Sequence, residues 1–132
     1  MTPLLSLVVY VTVYTFAVIL VGTFLRNREW TPSGFKVGLG NRDDVPEATP
    51  LGGRADRAAA NSIEALLMFA PLALVANAAG RDADVLFGAQ VFFWARLAYV
   101  PVYWFGIPVV RSLIWGVGVF GLASMVVALL SG

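Results

Sequence analysis

Four long apolar runs, separated by one long polar stretch and two short breaks, set the frame of this chain. The first, Leu4 to Leu25, carries no charge. As a helix rising 1.5 Å per residue it crosses the roughly 30 Å hydrocarbon core of a bilayer. It lacks a basic leader and is too long for the apolar part of a signal peptide, so it reads as a span. Residues 26–56 are polar and hold Pro32, Gly34, Gly38, Gly40, Pro46, Pro50, Gly52 and Gly53. These are turn and breaker residues, and they predict a long loop. Further spans are expected over about 57–79, with a kink at Pro71, over 85–105, and over 109–130. The breaks between them are Arg81-Asp82-Ala83-Asp84 and Gly106-Ile107-Pro108. The pattern predicts an all-α membrane protein: a single domain over 1–132 built as a four-transmembrane-helix up-down bundle.

Composition agrees with a membrane setting and narrows the chemistry. The 132 residues are 59% hydrophobic and 13% charged, about half the charge of an ordinary soluble domain. There is no cysteine and no histidine. The chain therefore brings no thiolate nucleophile, no imidazole base and no basis for a metal site. A net charge of +1 gives no reason to expect a nucleic-acid partner. Where the charges sit is more informative. Arg26, Arg28, Lys36, Arg42, Arg54, Arg57 and Arg111 fall at one end of the spans, and Arg81 alone at the other. By the positive-inside rule the arginine-rich end is cytoplasmic and both termini are periplasmic. Trp30, Trp94, Trp104 and Trp115 need no cofactor role, and those near span ends suit the interfacial aromatic belt.

Polar residues inside the spans are the sharpest signal. An ionisable group deep in a bilayer costs roughly 2.5–3.5 kcal/mol on insertion scales and usually faces the bundle interior. Arg57, Asn61 and Glu64 are spaced i, i+4, i+7 on one helical face, with Arg54 a turn earlier. Arg96, Tyr99 and Tyr103 are spaced i, i+3, i+7 on another. Glu64 and Arg96 are expected at similar depth and are predicted to meet, directly or through water. Interhelical polar glue accounts for Asn61 and for such a pair. It does not explain why Arg54, Arg57, Arg96 and Arg111 outnumber the one carboxylate facing them. That excess, with tyrosine donors beside it, points to an anionic ligand. Gly116, Gly118, Gly121 and Ser124 form a small-residue strip read as helix packing. Asp43-Asp44 is too sparse for a calcium loop, and Gly38-x-Gly40 lacks the strand and helix of a phosphate loop.

The segment Arg54-Ala55-Asp56-Arg57-Ala58-Ala59-Ala60-Asn61-Ser62-Ile63-Glu64 resembles the second-helix signature of the MAPEG superfamily, the membrane-associated proteins of eicosanoid and glutathione metabolism. The R-x-x-x-N-x-x-E core is matched by Arg57, Asn61 and Glu64. Arg96, Tyr99 and Tyr103 resemble the family's third-helix R-x-x-Y-x-x-x-Y, and Arg111 falls near its catalytic arginine. Gly38 to Asp43 is similar to a stretch of bacterial members. Ala59 and Ala60 stand where well-studied members often carry His or Arg, which argues against a prostaglandin-synthase type. The resemblance implies a homotrimer, placed in a bacterial inner membrane, with glutathione bound between subunits near the cytosolic face. It implies that Arg57, Asn61, Glu64, Tyr99 and Tyr103 contact the tripeptide, joined by Arg54 and by Arg26 or Arg28. Arg111, or failing it Arg96, would stabilise the thiolate.

The expected activity is glutathione-dependent transfer or peroxide reduction on lipophilic substrates that reach the site from membrane lipid. Glutathione is the co-substrate, with no metal. The thiol missing from the chain would come with the ligand. Two other readings fit the same residues: a non-catalytic lipid- or ligand-binding scaffold of the same fold, and a transporter or channel subunit, because buried charges also mark ion paths.

Overall fold

The computed structural model describes residues 1–132. It contains five helices and no strand: α1 (Pro3–Asn27), α2 (Pro32–Leu39), α3 (Pro50–Ala78), α4 (Asp82–Trp104) and α5 (Pro108–Leu130). All but α2 are long and apolar enough to cross a membrane, and they run up and down as a four-span bundle. The protein is an integral membrane protein by this architecture.

Three of the helices start at the same dipeptide. Thr2-Pro3, Thr31-Pro32 and Thr49-Pro50 each place a threonine at the N-cap and a proline in the first turn. The Thr31 hydroxyl accepts from the Gly34 N–H, and that of Thr49 from Gly52, each at 3.0 Å. A capping hydroxyl satisfies an orphan donor, and proline at the first position gives up an N–H that has no helical partner. This corrects the expected loop. Pro32 and Pro50 open helices instead of breaking them. α2 occupies part of 26–56, α3 begins at Pro50 and not near Arg57, and the connection left between α2 and α3 is residues 40–49. α3 and α4 end at glycines in the left-handed region, Gly80 (φ 69°) and Gly106 (φ 72°), where a side chain would be strained.

Packing follows small residues. α1 lies on α3 with Gly22 against the Ala55 carbonyl and the Ala59 methyl. α4 lies on α5 through a reciprocal glycine contact. A Cβ on Gly121 would stand 2.7 Å from the Gly88 carbonyl oxygen, and one on Gly88 would stand 2.6 Å from that of Gly121. Gly118 faces Ala95, whereas nothing approaches Gly116. α3 and α5 touch at only a few residues, so they flank α4 with a groove between them. One apolar cluster, containing Leu4, Val11, Phe69, Phe92 and Met125, fills the half of the bundle near the α3–α4 turn, with the Phe69 and Phe92 rings stacked at 4.6 Å. A second cluster, Val18, Ala58, Ala59, Tyr99, Val100 and Tyr103, fills the arginine-rich half.

At the opposite end Arg81 fastens the α3–α4 turn to the end of α5. It donates to the carbonyls of Leu129 (3.0 Å) and Ala128 (2.8 Å) and pairs with Asp84 at 2.8 Å. Cations suit this position, because the last carbonyls of a helix lack partners and carry partial negative charge.

The glycine contact is expected to be unforgiving. Gly121→Val should lower the melting temperature in detergent, read by tryptophan fluorescence, with overpacking worth about 1–3 kcal/mol. Gly116→Val on the same helix should melt like wild type. Equal melting of the two variants would show that α4 and α5 do not meet at this point.

Candidate functional site

The arginine-rich end of the groove is a polar cavity of about 440 Å³ lined by Arg57, Asn61, Glu64, Tyr99, Tyr103, Arg111, Ser112 and Trp115, with Ala60. That volume is within the range of small-molecule sites, roughly 300–1,000 Å³. α3 supplies Arg57, Asn61 and Glu64 at helical spacing, α4 supplies Tyr99 and Tyr103, and α5 supplies Arg111, Ser112 and Trp115. Six of the residues singled out in the sequence thus converge from three helices.

Tyr103 organises the cations. Its hydroxyl accepts from Arg57 Nε at 3.0 Å, and the Arg111 guanidinium lies 4.6 Å from the centre of its ring. Tyr99 meets it edge to face at 5.6 Å, and the Arg96 guanidinium lies 4.3 Å from the Tyr99 ring centre. Cations and aromatic faces therefore alternate along α4. Each such contact is worth about 0.5–1 kcal/mol when exposed and about 2 kcal/mol or more when desolvated. Arg54 anchors its Nε on the Trp104 carbonyl at 2.9 Å and lies against Gly106. With Arg57, Arg111 and Tyr103 it lines a smaller space of about 120 Å³ at the cavity mouth. None of these arginines forms an ion pair, since the one salt bridge of the chain is Arg81 with Asp84. The mouth and cavity present three guanidiniums against the single carboxylate of Glu64.

Below the polar cavity the groove turns apolar. A second space of about 700 Å³ is lined mainly by apolar residues, among them Met68, Leu72, Phe92, Val119, Leu122 and Val126. The two spaces share Asn61, Glu64 and Trp115. A ligand with a charged head and an apolar partner can lie along one continuous surface.

Arg96 corrects an expectation. It is buried, at 5% exposure, and makes no direct ion pair with Glu64, although both side chains line the apolar space. Its guanidinium donates to Asn61 Oδ1 at 2.9 Å and to Ser62 Oγ at 3.2 Å. α4 packs against the Asn61–Ser62 side of α3, and at 100° per residue Glu64 points well away from Ser62, toward the open groove. The carboxylate stays free to face a ligand. Arg96 lines the apolar space and not the polar cavity, away from Arg111. Arg26 and Arg28 lie outside both spaces in the single chain. Arg26 donates to the Pro46 carbonyl at 2.7 Å, and Arg28 caps α1 in the left-handed region.

Ser62, Ser112 and Trp115 were not anticipated. Trp115 is one helical turn beyond Arg111, a spacing that does place both on one face. Ser62 had no comparable signal, because its neighbours Asn61 and Glu64 define a different face.

The hydrogen bonds of Arg96 make a sharp test. Asn61→Leu should destabilise the fold by about 1–3 kcal/mol by leaving a buried guanidinium short of an acceptor. Glu64→Gln should leave the melting temperature of the ligand-free protein near wild type. A large loss from Glu64→Gln, with none from Asn61→Leu, would restore the Glu64–Arg96 pair.

Searches of curated proteins and of solved structures returned no match. Comparison with protein families matched the MAPEG family over residues 3–131, nearly the whole chain. The four-span architecture and the helix faces that build the cavity fall within that match, and the chain belongs to the MAPEG family, which includes glutathione-dependent transferases and peroxidases.

Proposed function

We propose that the protein is a glutathione-dependent transferase or peroxidase acting on lipophilic electrophiles. The observation that carries this reading is the convergence of Arg57, Glu64, Tyr99, Tyr103 and Arg111 on one cavity that opens into an apolar groove.

The cavity's charges complement the tripeptide. Glutathione has two carboxylates, one ammonium group and a thiol. Arg57 and Arg54 offer forked donors suited to carboxylates, and Glu64 offers the acceptor an ammonium requires. Asn61 gives its Oδ1 to Arg96, so its amide N–H groups remain to donate. Arg111 is the residue assigned to the sulfur. A thiol of pKa near 8.5 is mostly protonated at pH 7. A guanidinium in hydrogen-bond reach favours the thiolate and lowers that pKa by roughly 1–3 units. The thiol proton leaves to solvent through the cavity mouth. The Tyr103 hydroxyl accepts from Arg57 and keeps its own hydrogen to donate toward the sulfur. Arg96 is buried on Asn61 and Ser62 and serves as a positioning residue.

In transfer, the sulfur lone pair forms the bond to an electrophilic carbon while the leaving group departs with its electron pair. In peroxide reduction, the thiolate attacks the distal oxygen, the O–O bond breaks to release an alcohol, and a second glutathione completes the disulfide with loss of water. Either electrophile would enter the apolar groove from the lipid.

The reading includes a homotrimer in the bacterial inner membrane, with both termini periplasmic and the cavity facing the cytoplasm. Arg57 and Glu64 are exposed on the single chain, as are Ile63, Leu67 and Met68 beside them. A neighbouring copy covering this flank of α3 would close the cavity and bring its Arg26 or Arg28 toward it. The concentration of basic residues at this end supports its cytoplasmic placement.

Glutathione should raise the wild-type melting temperature in proportion to the logarithm of its concentration above Kd. Arg57→Ala should abolish the rise. Arg111→Ala should keep most of it while losing turnover at pH 7, and its pH–rate profile should shift upward toward the free-thiol pKa near 8.5. Undiminished conjugation by Arg111→Ala at pH 7 would remove the assigned activator. Absence of any thermal shift with glutathione in wild type would reject the reading as a whole.

A further inference from the structure

α2 stands apart from the bundle and from the site. It is an eight-residue helix, too short to be stable alone in water. One of its faces is closed on the end of α1. Gly34 is buried against the terminal carbonyls of Asn27 and Arg28, and Gly38 lies on the Glu29 side chain, which accepts from Asn27 Nδ2 at 3.1 Å. This attachment uses glycines and buries little apolar surface. A second face carries Phe35 and Leu39, four residues apart, which are 55% and 74% exposed. Ser33 and Lys36 lie round from that face, also exposed.

Trp30 ties the head of α2 to the outer surface of α1. It precedes α2, is 58% exposed, and its ring lies 5.5 Å from that of Phe24. Phe24 is an outward-facing residue in the last turns of membrane-spanning α1, in line with the exposed Val13, Phe16 and Leu20. The lipid-facing surface of α1 thus continues onto Trp30 at the head of α2. Arg28, Lys36 and Arg42, on α2 or close to it along the chain, are exposed cations, with the exposed carboxylates of Asp43 and Asp44 beside Arg42.

We propose that α2 lies in the plane of the membrane interface on the arginine-rich side. Trp30, Phe35 and Leu39 sit at the headgroup–acyl boundary, and Arg28, Lys36 and Arg42 face the phosphates of anionic phospholipid. An aromatic ring with a polar tip is favoured at this depth. Basic residues are drawn to an anionic leaflet. The lipid supplies the apolar burial that an eight-residue helix docked on glycines otherwise lacks. In this position α2 holds the start of the connection to Thr49, and with it the entry to the helix that bears Arg54 and Arg57.

The absence of native cysteine permits a direct test with the full chain. Phe35→Cys, Leu39→Cys, Ser33→Cys and Lys36→Cys are each spin-labelled, reconstituted in phosphatidylcholine–phosphatidylglycerol vesicles, and probed by power saturation. Labels at 35 and 39 are expected to collide preferentially with oxygen, and those at 33 and 36 with a water-soluble nickel chelate. Equal exposure of all four to the chelate would overturn the proposal in favour of a helix in solution. Protection of 35 and 39 from both reagents would overturn it in favour of contact with another protein copy. Omitting phosphatidylglycerol should move the label at 35 outward, and an unchanged depth would reject the role given to the three cations.

Discussion

The burial of one guanidinium, that of Arg96, constrains the geometry of the whole bundle. Eight residues separate it from the end of α4, so it lies roughly 12 Å inside the helix. No carboxylate neutralises it. It is held by Asn61, Ser62 and the face of Tyr99. Along α1, α3 and α4 a buried polar residue falls between the two apolar clusters: Thr15 between Val11 and Val18, Ser62 between Ala59 and Ala65, Arg96 between Phe92 and Tyr99. A charge this costly to strand admits one register between α3 and α4. Each step along α4 is matched by a step back along α3: Phe92 with Phe69, Arg96 with Asn61, Tyr103 with Arg57, Trp104 with Arg54. A slip of one turn would replace Asn61 and Ser62 by Arg57 and Ala58, or by Ala65 and Leu66, none of which offers a side-chain acceptor, so the register that satisfies Arg96 also delivers Arg57 to Tyr103.

The cavity then follows from where α5 is forced to lie. Gly88 and Gly121 bring α4 and α5 into backbone contact, and Gly22 does the same for α1 on the Ala55–Ala59 stretch of α3. With each outer helix drawn to a different partner, α3 and α5 are left apart and the surface of α4 between them stays open. Its upper part displays tyrosines and its lower part Phe92, so the groove is polar at one end and apolar at the other. This gradient comes from the order of residues on α4 and requires no separate domain for a second substrate.

Much of this arrangement could be read from residue spacing. Arg57, Asn61 and Glu64 share a face because 4 and 7 residues are close to whole turns, and the structure puts all three on one cavity. The errors arose where one residue type carries two meanings. Proline after threonine starts a helix as readily as proline elsewhere ends one, and reading Pro32 and Pro50 as breakers erased α2 and shortened α3. Glu64 and Arg96 were matched by charge and depth, but depth says nothing about azimuth. Asn61 and Ser62, not Glu64, turned out to face α4. The presence of Ser112 and Trp115 depends on the rotation of α5 about its axis, which Gly118 and Gly121 set through contacts made only in three dimensions.

What remains is the consequence of uncompensated charge around a single ring. Arg57 reaches the hydroxyl of Tyr103 and Arg111 its face, so one phenol fixes two cations that repel each other. Arg54 adds a third at the mouth. Arg57 is exposed and Arg54 and Arg111 are half-buried, so water screens much of their mutual repulsion and a bound anion relieves what is left. Glu64 relieves only part of it. An anion entering the cavity meets guanidiniums already anchored on Trp104 and Tyr103, with little ordering left to do. A guest whose own ionisation is incomplete near neutral pH feels the same field as a shift toward its charged form. On the proposed reading, a chain with neither cysteine nor histidine activates in this way a nucleophile it does not itself possess.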